Sequence, residues 1–384
     1  MKKWLRIVLL VVGLGMFGLF IYQAGLEQIR AAFIGETWTD LNGNGAWDKG
    51  EPYVDATKDD KHDKGLGWWA LVVLLPYALV FSIDTLGWRF TFTHKVAVQL
   101  RYRTMWYVRL AGEAINNVIP SMYIGGEAAK VYLLHKRGVP VVNTTAAAVR
   151  SKTAQSVAQS TFVAIAALVA AVSLPPEMAT AKYIFGGMAV AGFVIMALLF
   201  KLQASGIFMT LLGWVRGLGF KLKSMAAKEE SLRHMDESIS TFYTHSRCRF
   251  IRCTLIYLWG WIVDTLEILL VSHALGMPVE LHQALVIEAF IGVAKGFNTV
   301  VPGAFGVQEF SVMALFLMFD LPKELGIQYA IIRRGRDLAF TALGWGFLYN
   351  DEASLKGITQ RVQKEADEMA AVEDVAAKET LRDD

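Results

Sequence analysis

Polar and charged residues along this chain fall in blocks separated by long apolar runs. Ile7 to Leu26 carries no charge and follows Lys2, Lys3 and Arg6. Leu66 to Ile83 is a second run, extended to Trp88, and Thr153 to Pro176 a third that ends at Pro175-Pro176. Tyr183 to Phe200 is a fourth, and Cys253 to Leu275 a fifth, interrupted only by Asp264 and Glu267. A last run over 325–350 contains Arg333, Arg334, Arg336 and Asp337. Without the residues before those arginines it falls short of the roughly 20 residues a bilayer requires. The pattern predicts six spanning helices. A signal peptide starts as the first run does, but its apolar core is shorter and ends at a small-residue cleavage site. None is convincing near Gln23-Ala24-Gly25, so the first run reads as an uncleaved span.

Charge placement orients these spans, since cytoplasmic loops are rich in Lys and Arg. Segment 89–109 holds Arg89, Lys95, Arg101, Arg103 and Arg109 and no acid, and 201–252 holds nine basic residues against four acidic. Both read as cytoplasmic. Loop 27–65 has nine acidic residues against five basic, and the turn Pro175–Thr180 has no Lys or Arg; both suit the outside. The expected topology places both termini in the cytoplasm of a prokaryote, in its inner membrane. Two hydrophobic segments remain, 110–134 and 284–319. The parity of the spans makes each a re-entrant hairpin, broken at Pro120 and Pro302. The fold class expected is an all-α polytopic membrane protein.

Composition agrees. The hydrophobic class makes up 54% of the 384 residues and the charged class 19%, with a mean hydropathy of +0.38. Soluble domains have about 45–50% and about 25%. A soluble enzyme and a nucleic-acid reader are excluded. The net charge of +3 says little about partners. Cys248 and Cys253 form neither a disulfide framework nor a zinc spacing. No HExxH, Walker loop, GxSxG or paired Cys-x-x-Cys occurs, so no enzymatic activity is expected and ATP-driven pumping within this chain is disfavoured.

An internal repeat accompanies the spans. Asn116-Asn117-Val118-Ile119-Pro120 aligns with Asn298-Thr299-Val300-Val301-Pro302. The same constant shift places Tyr123 on Phe305, Glu127 on Glu309 and Glu113 on Lys295. With a small slip, Arg150-Ser151-Lys152 aligns with Arg334-Gly335-Arg336. The halves are 1–176 and 183–350, each reading span, loop, span, hairpin, span. Three spans separate the hairpins, so the halves are expected to be inverted. The alternative is an unrepeated bundle in which Pro120 and Pro302 merely kink helices.

Broken helices in inverted repeats place a binding site near the midplane. Gly125-Gly126 and Gly303/Gly306 permit tight turns and close approach to a ligand. The helices that follow start near Glu127 and Glu309, and such helix ends suit a phosphate or carboxylate. The two glutamates cap their own helices, pair with a Lys or Arg, or carry a proton. The pairing candidates are Lys130, Lys295, Arg150, Arg334 and Arg336. The candidate substrate-binding set is Glu113, Asn116, Asn117, Pro120, Gly125, Gly126, Glu127, Lys130, Arg150 and Lys152 in the first half. In the second it is Lys295, Asn298, Pro302, Gly303, Gly306, Glu309, Arg333, Arg334 and Arg336. If Glu309 carries a coupling proton, Glu309→Gln abolishes coupled transport without unfolding. Asp84, Asp264, Glu267 and Glu288 are further acids at membrane depth. They are either protonation sites or end-of-span residues at the interface.

The stretch Gly112-Glu113 … Pro120 … Gly125-Gly126-Glu127 … Lys130, with Pro302-Gly303-Ala304-Phe305-Gly306-Val307-Gln308-Glu309, resembles the flippase-like membrane family. That family comprises the transmembrane domain of lysylphosphatidylglycerol synthase and its stand-alone relatives. The resemblance covers about residues 1–350 and implies lipid translocation or handling of lipid-linked intermediates. Pro-Gly-Ala-Phe replaces a more glycine-rich turn. The family's aminoacyl-transferring domain has no counterpart here, because only an acidic, alanine-rich stretch, 351–384, follows Asn350. Lipid aminoacylation is therefore not expected, and the substrate does not carry over.

Loop 27–65 contains the sharpest local motif. Asp40-Leu41-Asn42-Gly43-Asn44-Gly45-Ala46-Trp47-Asp48-Lys49-Gly50-Glu51 fits the EF-hand calcium pattern at every specified position. Asp40, Asn42, Asn44, Asp48 and Glu51 would supply side-chain ligands and Ala46 its carbonyl. Two asparagines lower the ligand charge, so a weak structural calcium is expected, with Kd on the order of 10⁻⁴–10⁻³ M. The bland alternative is a metal-free polar turn.

Three functions remain open. The first is a flippase or translocase for an anionic or lipid-linked amphiphile, with membrane lipids as its partners. The second is a transporter of a small soluble anion. The third is a non-transporting assembly factor that docks a lipid-biosynthetic enzyme. The oligomeric state, the lipid and the energy source are not legible.

Overall fold

In the computed structural model, the regular structure among the described residues is helical, apart from one antiparallel bridge between Trp38 and Tyr53. The described residues are 25–43, 47–55, 65–92, 94–118, 124–173, 179–204, 247–295 and 306–350, with the isolated positions Gly15, Gly18, Tyr22 and His62. The predicted first span, both hairpin tips, most of 201–252 and the tail 351–384 lie outside them.

In chain order the helices are α1 (Leu26–Ile34), α2 (Trp69–Val72), α3 (Leu74–Thr91), α4 (His94–Gln99), α5 (Tyr102–Val118) and α6 (Ile124–His135). They continue as α7 (Val141–Ser173), α8 (Ala179–Ala204), α9 (Arg247–Ala274), α10 (Leu281–Lys295), α11 (Val307–Met318) and α12 (Lys323–Asn350). Prolines sit where helices tolerate them: Pro76 in the first turn of α3, and Pro140 and Pro322 directly before α7 and α12.

Among the described residues, three segments are long and apolar enough to cross a membrane: Trp69–Thr91, Asn143–Ser173 and Arg247–Ala274. They coincide with the second, third and fifth predicted spans. Shorter apolar helices cover Lys182–Val194 and Val307–Met318. The outward faces are greasy. Leu75, Leu79 and Leu86 are exposed along α3, and Ile251, Leu255, Trp259, Ile262 and Leu266 along α9, at helical spacing. The charges lie inside, with Glu267, Glu288 and Arg333 wholly buried. Apolar outside and ionic inside is the arrangement that hydrocarbon solvent favours.

The centre of the bundle is the crossing of α3 and α9. Gly87 lies under the Tyr257 ring and Gly260 faces Asp84, so the two helices run antiparallel. A Cβ on Gly87 would stand 2.8 Å from Tyr257 Cζ, and one on Gly260 3.0 Å from Asp84 Oδ1. Two helical hairpins flank this crossing. One is α5 with α6, the other α10 with α11. Each packs across to the other half: α5 against α12, and α10 against α7. Asn117 Nδ2 donates to Thr341 Oγ1 at 3.1 Å in the first contact, and Gln159 Nε2 to the Gly292 carbonyl at 3.0 Å in the second.

Several boundaries differ from the sequence expectation, among them the starts of the third and fifth spans, whose helices begin at Val141 and Arg247. The first hairpin does not begin at 110: α5 starts at Tyr102. Tyr102 donates to the Ser82 carbonyl at 2.6 Å and Trp106 Nε1 to Ser82 Oγ at 3.1 Å, which seats those turns on α3. The second hairpin begins slightly earlier than 284, at Leu281. Residues 27–34, expected in the outer loop, belong to α1, which packs on α12, with Ala31 and Ala32 buried and Phe33 against Gly335. Gly35 and Gly65 then let the two ends of the loop touch. The Leu66 and Gly67 amides donate to the carbonyls of Ala32 and Phe33 at 3.0 and 2.9 Å, and a Cβ on Gly65 would fall 2.3 Å from the Gly35 nitrogen.

Candidate functional site: a charged cavity among five helices

Beside the central crossing, α3, α5, α7, α9 and α10 line an open-sided cavity of about 460 Å³. Asp84 enters from α3, Arg109 and Glu113 from α5, Lys152 from α7, Asp264 from α9 and Lys295 from α10. Uncharged polar groups join them, among them Gln155, Ser156 and Gln159, successive on one face of α7. A spanning helix tolerates ionisable groups when they face a bundle interior and find partners.

Most of these charges are paired. Arg109 Nη2 donates to Asp84 Oδ2 at 2.6 Å. Lys130 joins Glu113 at 3.6 Å and Glu127 at 2.9 Å, and lies 5.9 Å from the centre of the Trp88 ring. Lys152 reaches Glu127 at 3.4 Å. Lys295 is different: no hydrogen bond or ion pair engages its amine among the described residues.

Behind the cavity lies a denser ionic core. Arg333 binds Glu288 with both terminal nitrogens, at 2.6 and 2.7 Å, and also donates to the Tyr329 hydroxyl. Glu267 and Asp264 lie 3.8 Å from Arg333. Arg336 bonds Glu267 and Asp337, the latter at 2.7 Å, and stacks 4.0 Å from the centre of the Tyr77 ring, which lines the cavity. Tyr77 and Asp264 thus connect core and cavity. Asp264 Oδ1 and Glu267 Oε1 have no hydrogen-bond partner among the described residues.

A family model for the transmembrane region of lysylphosphatidylglycerol synthase matches residues 60–344. The chain belongs to that family. No curated protein and no solved structure matches it. The family and the apolar helices together make it a multi-pass membrane protein from a group tied to lipid synthesis and flipping.

Of the residues singled out by sequence, this family member brings Glu113, Lys152 and Lys295 to the cavity wall. Glu127 and Lys130 stand behind them in one ion-pair cluster. Asn116 accepts the Gly126 amide at 2.9 Å and so ties α5 to α6. Asn117 bonds α12, as described, and Arg150 donates to the Thr91 carbonyl at 3.2 Å. Gly125 and Gly126 do not form a turn against a ligand. Both lie in the first turn of α6, and a Cβ on Gly126 would fall 2.2 Å from the Gly112 carbonyl oxygen. The close approach is helix to helix.

Glu309 is 1% exposed. It accepts the Gly306 amide at 2.8 Å and Arg334 Nε at 2.7 Å. Gly306, at φ +78°, takes a backbone conformation that suits glycine and opens α11. The positive end of α11 is therefore met by its own Glu309. Arg333, Arg334 and Arg336 are buried in carboxylate pairs and do not line the cavity. Pro120, Asn298, Pro302 and Gly303 lie outside the described residues.

Sequence reasoning left other residues unassigned. Arg109 counted as a cytoplasmic loop charge, but it is 7% exposed and paired with Asp84. Asp264, Glu267 and Glu288 stood between protonation sites and interfacial acids; they are buried beside Arg333 and Arg336, not at the interface. No spacing rule joins Glu288 to Arg333. The only signal was that each is a charge in an apolar run.

Loop 36–54 is closed by Thr39 N–H donating to the Pro52 carbonyl and Val54 N–H to the Thr37 carbonyl, both at 2.8 Å. Asp40 Oδ1 accepts the amides of Asn42 and Gly43 at 3.2 and 2.6 Å, and Asn42 Nδ2 donates to Asp48 Oδ2 at 2.7 Å. The Glu51 carboxylate accepts the amides of Leu41 and Asp48 at 2.9 and 3.0 Å. Asn44 and Ala46 lie outside the described residues. An all-oxygen donor set of this kind fits calcium by its chemistry. Among the described residues, however, no three His, Cys, Asp or Glu side chains converge as metal ligands would.

Proposed function

We propose that this chain translocates a phosphate-bearing or lipid-linked amphiphile between leaflets, with the headgroup in the charged cavity. The observation that carries this reading is the cavity itself, which draws Asp84, Arg109, Glu113 and Lys152 from one half and Asp264 and Lys295 from the other. A solvated charged chamber among apolar-faced helices suits a polar headgroup whose tails stay in lipid. Rocking of one half against the other would turn the cavity from one leaflet to the other.

The inverted repeat belongs to this proposal. The shift that carries Asn116 onto Asn298 also carries Glu127 onto Glu309 and Lys152 onto Arg334. Each glutamate pairs with its own partner, at 3.4 Å in the first half and 2.7 Å in the second. The unslipped alignment therefore equates Lys152, not Arg150, with Arg334. The same shift carries Gln159 onto Thr341, and both bond the opposite hairpin. The antiparallel α3–α9 crossing is where a two-fold in the membrane plane would lie.

We further propose a weak calcium site in loop 40–51, on the strength of its residue pattern. Calcium would supply a positive centre for the oxygens of Asp40, Asn42, Asp48 and Glu51 and hold the loop closed.

The decisive experiment reconstitutes the purified chain in vesicles containing fluorescent phospholipids and follows dithionite bleaching of the inner leaflet. Bleaching beyond half, lost in Lys152→Ala/Lys295→Ala, is expected. Bleaching equal to protein-free vesicles, together with uptake of a soluble anion, would move the assignment to the soluble-anion transporter.

A further inference from the structure

What the cavity leaves unmet indicates the class of headgroup it receives. Its lining holds three cations, Arg109, Lys152 and Lys295, and three carboxylates, Asp84, Glu113 and Asp264. The lining is thus neutral overall and builds no field for a highly charged ligand. Arg109 is spent on Asp84, and Lys152 on Glu127. Glu113 is spent on Lys130.

Two groups on adjacent helices keep unused hydrogen-bonding capacity among the described residues. Asp264 is 5% exposed; its charge is balanced by Arg333 and Arg336, at 3.8 and 3.9 Å, but its Oδ1 has no hydrogen-bond partner there. The Lys295 amine has none either, and stands outside ion-pair range of Asp264. A phosphate placed between them would meet Lys295 but confront Asp264. An ammonium would do the reverse. A hydroxyl both donates and accepts, so neighbouring hydroxyls satisfy both at once.

The rest of the wall has the same character. The Gln155 amide, the Tyr77 hydroxyl and the Trp261 indole line the cavity without a hydrogen-bond partner among the described residues. Trp261 is held rigid between Phe162, at 5.8 Å between ring centres, and the bare Cα of Gly292, where a Cβ would stand 2.7 Å from the indole. Amide, phenol, indole, carboxylate and amine around a volume of about 460 Å³ offer many directional partners and no net charge. That volume falls in the ordinary range of small-ligand sites, about 300–1,000 Å³.

We infer that the cavity receives a polyhydroxylated headgroup of the sugar or inositol class, bonded by Asp264, Lys295 and Gln155. This rests on the translocase reading and names its substrate class.

The test is native mass spectrometry of the purified full chain. It is offered equal amounts of monoglucosyl diacylglycerol, phosphatidylinositol, phosphatidylglycerol and phosphatidylethanolamine with matched acyl chains. The glucosyl and inositol lipids should be retained at least tenfold over phosphatidylethanolamine. Gln155→Leu should lower that retention threefold to tenfold, the effect of one net hydrogen bond. Gln155 is half-buried and outside every ion pair described, so its variant keeps the ionic scaffold. Lys295→Gln is a second variant with the same expected loss, and thermal melting reports folding of both.

Equal or greater retention of phosphatidylethanolamine overturns the inference, as does unchanged retention in both folded variants. Free glucose or inositol held as tightly as the glycolipids would make the ligand soluble and overturn the lipid headgroup. The same lipids in the bleaching assay separate the two readings. Glycolipid retained but not moved defeats the translocase reading and leaves the headgroup class standing. Phosphatidylethanolamine moved with no glycolipid retained defeats the headgroup class alone.

Discussion

Arg333 and Glu288 show what a charge costs inside this bundle. Both side chains are wholly buried and joined by two hydrogen bonds. Removing one partner of such a pair leaves an uncompensated charge and typically costs about 3–5 kcal/mol. Arg333→Met should lower the melting temperature in detergent sharply, and Arg333→Met/Glu288→Met should recover much of the loss. A double variant no more stable than the single would show that the pair is not the source of the loss. Glu309 belongs to the same class. It satisfies the Gly306 amide and Arg334 together, so Glu309→Gln should destabilise the protein rather than silence coupling selectively. Glu127, whose side chain is 22% exposed and shared by two lysines, should tolerate Glu127→Gln better. A smaller melting shift for Glu309→Gln than for Glu127→Gln would refute that order. Residue identity made these positions visible, because ionisable groups in apolar runs are conspicuous. The pairs were hidden, since 45 residues separate Glu288 from Arg333 and 25 separate Arg109 from Asp84. Lys130 with Glu127 was the exception, three apart on one helix.

At the scale of elements, helix contacts here rest on missing side chains. α3 and α9 meet at Gly87 and Gly260, and α5 and α6 at Gly112 and Gly126. Membrane helices associate through small residues that let backbones approach. Gly87→Val would drive a branched side chain into the Tyr257 ring and should cost about 1–3 kcal/mol, the usual range for overpacking. Gly346→Val, where nothing lies within 4 Å, should leave the melting temperature nearly unchanged. Equal effects of the two would contradict the crossing. The outer loop makes a separate prediction. Terbium excited through Trp47 should luminesce on binding, and calcium should displace it with Kd on the order of 10⁻⁴–10⁻³ M. Asp40→Ala should abolish the signal; luminescence insensitive to that variant and to millimolar calcium would make the loop a metal-free turn. Spans two, three and five were readable because long, nearly uncharged apolar runs have few ways to satisfy their backbone except as helices. The start of α5 was not, because Tyr102, Arg103 and Arg109 look like loop polarity until α3 is beside them.

At the scale of the whole molecule, the two hairpins exchange partners across the centre, α5 with α12 and α10 with α7. That exchange makes each half dependent on the other, and isolated halves should not fold. Residues 1–176 expressed alone should aggregate or be degraded, while co-expression with 183–384 should restore a monodisperse complex by size-exclusion chromatography. A stable, folded first half would contradict the exchange. Hydropathy and charge bias along the chain determined the membrane class and the order of the apolar helices, because solvation by hydrocarbon acts on each segment separately. The constant shift that carries Asn116-Asn117 onto Asn298-Thr299 is likewise read from the letters alone. What only the tertiary structure decided is which charges are consumed and which stay available. Arg333, Arg334 and Arg336 look like a basic ligand site in sequence but become scaffold once Glu288, Glu309 and Glu267 fold against them. Lys295, in sequence one pairing candidate among several, is left facing the cavity without a hydrogen-bond or ion-pair partner among the described residues. Pairing depends on distances between helices that no local pattern records.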